Sequence, residues 1–91
     1  MKYQLNTLIK NLDGSDSAEK VKDGFIVALL SNVDKNGEPV RNKAARYSIF
    51  IKVANKDEVE LTAEEVSLLK EAVWVFPTLT AGQLVDFLEK N

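Results

Sequence analysis

The pattern of apolar and polar positions divides the chain into several short elements. Tyr3 and Leu5 alternate with Gln4 and Asn6, which predicts a strand opening the run Lys2–Ile9. Asn11-Leu12-Asp13-Gly14-Ser15 then reads as a turn, because Asp-Gly offers a residue that accepts positive φ. Asp16 and Glu19 have capping-box spacing. Val21, Phe25, Ala28 and Leu29 follow at helical intervals, widened by Ile26 and Leu30. The spacing predicts a helix over 17–31, with Gly24 as a weak point and a strand over 24–31 as the rival. Asn32–Val40 is a loop around Asn36-Gly37, or a hairpin if strands flank that pair.

Residues 41–54 support two readings. As a helix they gather Val40, Ala44, Tyr47, Phe50, Ile51 and Ala54 on one face. As a strand, Tyr47, Ile49, Ile51 and Val53 alternate with Arg46, Ser48, Phe50 and Lys52. The helical face is the longer pattern. Glu58–Leu61 reads as a short extended segment. The strongest signal follows it: Thr62 with Glu65 forms a capping box and Leu61 with Val66 a hydrophobic staple, predicting a helix over 63–75. Pro77 interrupts the chain. Thr80 with Gln83 and Leu79 with Leu84 repeat the box and staple ahead of a last helix carrying Leu84, Val85, Phe87 and Leu88. The expected fold is one mainly helical α+β domain over residues 1–91. It has three to four packed helices and a small two-stranded antiparallel sheet pairing 2–6 with 57–61.

Composition narrows the chemistry. Ninety-one residues make a small core, which leaves room for stabilisation as a homodimer. There is no cysteine, so thiol nucleophiles, disulfides and thiolate metal sites are excluded. There is no histidine, which removes the commonest general base and zinc ligand. The expectation is a protein that is not an enzyme and carries no cofactor or metal. The longest apolar run, Phe25–Leu30, is too short to cross a bilayer, and no targeting segment is visible, so a cytoplasmic location is expected.

Four candidate clusters remain. On the Thr62 helix, Trp74 falls on the polar side with Ser67, Lys70 and Glu71. A tryptophan there is either covered by the following turn or the last helix, or part of a partner-binding surface. Lys43, Arg46 and Tyr47, with Lys35 and Arg41 nearby, form a loose basic stretch. It is either a solvated surface or a phosphate contact for nucleic acid, which the net charge of −2 disfavours. Asp13, Asp16, Glu19 and Asp23 lack the order of a calcium loop and read as caps and surface charge. Glu58, Glu60, Glu64 and Glu65 show no partner acid or cleft, and capping already accounts for Glu65.

Three segments carry a resemblance. They are Asn11-Leu12-Asp13-Gly14, the run Glu58-Val59-Glu60-Leu61-Thr62-Ala63-Glu64-Glu65, and Thr78-Leu79-Thr80-Ala81-Gly82-Gln83-Leu84 before Leu88-Glu89. In this order the chain resembles small accessory proteins of tailed bacteriophages and prophages. The resemblance implies the cytoplasm of an infected bacterium and a role exerted by binding a host or phage protein. It also favours the helix over 41–54. No site residue comes with it. The rival expectations are a self-associating assembly factor and a nucleic-acid or nucleotide binder.

Overall fold

Gly14 takes φ +88°, and the Asn11-Leu12-Asp13-Gly14 turn folds the chain back on itself, with the Asn11 N–H donating to Ser15 O at 2.8 Å. The computed structural model describes residues 1–90. Its elements are β1 (Lys2–Gln4), β2 (Leu8–Lys10), β3 (Asp16–Lys20), α1 (Val21–Leu30), α2 (Lys43–Asn55), β4 (Glu58–Glu60), α3 (Ala63–Ala72) and α4 (Thr78–Lys90). A 3-10 turn, Val73–Val75, extends α3. The fold is α+β. Among the described residues there are four α-helices and two small antiparallel pairs, β1 with β4 and β2 with β3. The β1–β4 pairing matches the expected one, with Lys2 opposite Glu60, Tyr3 opposite Val59 and Gln4 opposite Glu58.

The β2–β3 hairpin corrects the expected start of the first helix. Asp16 does not cap; it forms an ion pair across the hairpin with Lys10. The helix starts at Val21, where the Lys20 N–H donates to Asp23 Oδ2 at 3.0 Å. Residues 16–20 contain a single small apolar residue, Ala18, and are almost wholly exposed, as suits an edge strand. The expected strand over 2–9 is likewise split, by a turn after Gln4 closed by Thr7 Oγ1 donating to Gln4 O at 3.1 Å.

Residues 43–55 are helical, but the buried face is not the expected one. Arg46, Ile49 and Val53 point inward with Phe50 and Ala54 half-buried, while Ala44, Tyr47 and Ile51 are exposed. The turn at Asn36-Gly37 has Gly37 at φ +78° and one antiparallel bridge, Val33 with Pro39. Asp34 stabilises it by accepting from the Asn36 and Glu38 N–H groups at 2.8 and 3.0 Å.

The capping box of α3 is present as expected. The Glu65 N–H donates to Thr62 Oγ1 at 3.2 Å, and the Thr62 N–H donates to Glu65 Oε1 at 2.9 Å. Leu61 and Val66 are both buried, as a staple requires. The second box does not form. α4 begins at Thr78, with the Ala81 N–H donating to Pro77 O at 3.0 Å. Gln83 instead serves β2: it accepts from the Lys10 N–H at 2.7 Å and its amide donates to Lys10 O at 2.9 Å. The side-chain amide thus acts as a one-residue strand along the hairpin.

The core gathers around α1, which packs against α2, α3, the 3-10 turn, α4 and β3. Phe25, Ala28 and Leu29 meet Tyr3, Leu5, Val53, Leu61, Leu69, Val73, Leu84 and Leu88 there. The Tyr3 hydroxyl donates to Leu88 O at 3.0 Å, so the phenol is buried with its polar end satisfied, and burial raises its pKa.

The capping box predicts a pH dependence. Partial burial pushes the Glu65 carboxyl up, but hydrogen bonds from Lys52 and from the Thr62 N–H outweigh it, and the net pKa is lowered. A lowered folded-state pKa adds stability above the unfolded value, roughly 4.3, and that stability is lost as pH falls through the folded value. Glu65→Gln is expected to cost about 1 kcal/mol at pH 7 and to flatten the acid limb of stability against pH. Urea unfolding at pH 7 and pH 3 checks this, and an unchanged acid limb would refute it.

Candidate functional site

From Gly24 to Leu30 helix α1 reads Gly-Phe-Ile-Val-Ala-Leu-Leu and is apolar all the way round. Such a helix needs cover on every side. The fold covers one side only. Gly24, Phe25, Ala28 and Leu29 are buried, whereas Val27 and Leu30, one turn apart, are 56% and 55% exposed. Beside them, half-buried Ile26, Val75 and Phe76 complete an open apolar groove between α1 and the 3-10 turn.

Two further depressions adjoin it. One shares Val27 and Phe76 and is lined also by Gly24, Thr80, Glu19 and Asp23. The other shares Leu30, Ser31 and Asn32 and is lined also by Val40, Lys43, Arg46 and Tyr47. The first brings acidic side chains to the α1 N-terminus, and the second brings the exposed Lys43 and Tyr47 to its far end. The sequence signal for this surface was the unbroken run Phe25–Leu30, too wide for a helix with one buried face.

The Trp74 surface is distinct. Ser67, Glu71 and Trp74 are exposed at spacings of four and three along α3 and the 3-10 turn, and Lys70 is half-buried beside them. Trp74 is 41% exposed, so neither simple burial nor a free indole describes it. Lys70 Nζ lies 3.5 Å from Glu89 Oε1 on α4. Glu71 lines a separate polar depression with Asp34, Glu38 and Arg46. The Asp34 carboxyl is held below its usual pKa by the N–H groups of Glu38 and Asn36.

The basic trio is only partly a surface. Arg46 is 5% exposed; its guanidinium donates to Ala28 O at 3.1 Å and to Asn42 Oδ1 at 2.8 Å. Its charge holds the C-terminal end of α1. Lys43 and Tyr47 remain exposed. The acidic residues also have local partners. Asp13 accepts from Ser15, Asp16 pairs with Lys10, Asp23 caps α1, and Lys52 Nζ lies 2.8 Å from Glu65 Oε2.

Fold and surfaces together define a small α+β domain with an incompletely covered central helix. A comparison with family models, curated proteins and solved structures finds no match for this chain. Among the described residues no helix is long and apolar enough to cross a membrane.

Proposed function

We propose that this chain is a non-enzymatic binding module that docks on a host or phage protein in the bacterial cytoplasm, in the manner of a phage accessory protein. The observation that supports this reading is the exposed half of α1, with Val27 and Leu30 more than half exposed beside Val75 and Phe76. Contiguous apolar surface rimmed by polar residues marks interaction sites. The ends of the groove specify the partner's chemistry. It presents an apolar ridge with a basic end toward Glu19 and Asp23 and an acidic end toward Lys43. Trp74, Ser67, Lys70 and Glu71 form a second contact surface in this proposal.

The test places a photo-cross-linking residue at Val27 and identifies the captured protein. That protein is then purified and its affinity measured directly. Leu30→Glu is expected to weaken binding about tenfold or more, as at an interface hot spot, while leaving the fold intact. Equal affinity for Leu30→Glu and wild type would remove the groove from the proposal.

Self-association is favoured by one observation. Two α1 helices packed antiparallel about a two-fold axis would each place an acidic end against the other's basic end. Sedimentation equilibrium separates the readings: a dimer abolished by Leu30→Glu supports an assembly factor. The nucleic-acid reading rests on Lys43 and Tyr47, since Arg46 is committed to Ala28. It requires an affinity that falls steeply with salt.

A further inference from the structure

Among the described residues, the second strand of the β1–β4 pair is bonded on one edge only. The ladder bonds that reach across to the N-terminal segment come from odd-numbered residues. The Leu61 N–H donates to Met1 O at 2.8 Å, and Asp57 O accepts from the Leu5 N–H at 2.6 Å. In an antiparallel ladder the N–H and C=O of alternate residues point to opposite sides. Those of Glu58 and Glu60 therefore point away from β1, and among the described residues this sheet has two strands. On that side lies an open groove between β4 and the end of α2. It is lined by Ile51, Lys52, Asn55 and Lys56 with residues 58–60, and by no residue of β1. Ile51 is 41% exposed there.

We propose that this edge takes an extended peptide segment as a third strand, with a basic–apolar–basic alternation opposite Glu58, Val59 and Glu60. Strand addition supplies the main-chain bonds, and the pockets for alternate side chains supply the selectivity. Residues of the added strand opposite Glu58 and Glu60 share the exposed face of those two carboxylates, where opposite charge stabilises and like charge opposes. The residue between them shares the face of Val59 and meets Ile51. On the other side of β4, Lys2-Tyr3-Gln4 lies against the same three residues with Tyr3 inward; there Lys2 faces Glu60, and the neutral Gln4 amide donates to the Glu58 carboxylate.

Charge also selects against the obvious rival. Two β4 edges from two copies would set glutamate against glutamate. Of the lysines in the groove, Lys52 is held by Glu65, with 2.8 Å between Nζ and Oε2. Lys56 is exposed at the end of α2 and disfavours a further basic residue at that end of the added strand.

The site is separate from the α1 groove and does not depend on it. The probes are short acetylated, amidated peptides containing Lys-Val-Lys, Glu-Val-Glu, and Lys-Val-Lys with the backbone amide nitrogens of both lysines methylated. Backbone amide shifts and hydrogen exchange are read on the whole chain. With Lys-Val-Lys, the Glu58 and Glu60 amides are expected to shift and to exchange more slowly. Reversing the peptide charges is expected to weaken binding by up to about fivefold for each reversed pair. The methylated peptide is expected not to bind. Leu30→Glu should leave these effects unchanged, which keeps this result apart from the fate of the α1 groove. Equal binding of all three peptides, no response at Glu58 and Glu60, or peptide-free self-association that already protects those two amides would each overturn the proposal.

Discussion

Phe25→Ala is expected to cost about 3–5 kcal/mol, most of the stability of a domain this small. Phe25 is fully buried on α1, and its ring centroid lies 6.0 Å from that of Phe87, which is 5.7 Å from that of Tyr3. The three rings join β1, α1 and α4. The void left by alanine would not close readily. A Cβ on Gly24, the preceding residue, would already stand 3.0 Å from Leu84 Cδ1, so α1 and α4 are near their closest approach. With little relaxation available, the loss falls in the upper part of that range. Urea unfolding followed by far-UV circular dichroism gives the number, and a cost below about 1 kcal/mol would contradict this core.

Arg46→Ala is expected to cost about 2–3 kcal/mol, although it replaces a charged residue with a good helix former. The guanidinium is buried and donates to Ala28 O, one of the carbonyls that the end of α1 leaves without a full set of helical bonds. Alanine removes two charge-assisted hydrogen bonds and leaves Ala28 O with the 3.3 Å bond from the Ser31 N–H. Arg46→Met separates packing from charge, because it keeps an unbranched stem while losing every donor. It is expected to recover less than half of the loss. Thermal or urea unfolding of the pair decides it. A neutral Arg46→Ala would return the residue to the list of surface cations free to meet phosphate.

The elements that were legible in the sequence are those with local causes. Leu61, Thr62, Glu65 and Val66 specify the start of α3 within six residues, and the structure realises the box and the staple. The pairing of 2–4 with 58–60 followed from alternation at both ends. What was not legible depends on distant partners. The outward side of α2 looked charged at Arg46, but Ala28 draws that side chain in and turns Tyr47 and Ile51 outward. Gln83 had the spacing of a cap, but Lys10 claims its amide from 73 residues away. Asp16 had the same spacing and was taken by Lys10 across the hairpin. In each case a polar side chain satisfied the local rule and found a tertiary partner instead. Trp74 fell on the polar side of its helix with cover and exposure both open, and the structure leaves it 41% exposed. The α1 groove was written in the run Phe25–Leu30, and reading it required knowing which half the other helices would cover.

The bond from Tyr3 to Leu88 spans 85 positions, and β1 also waits for β4. On the ribosome the first strand is therefore synthesised long before either of its partners exists. Until residues 58–60 emerge, Lys2–Gln4 has no ladder to join, and until Leu88 follows, the hydroxyl of Tyr3 has no acceptor in the core. Native assembly of this domain waits for the synthesis of α4, and a nascent chain stalled before that helix would leave Tyr3, Leu5 and Phe25 incompletely covered.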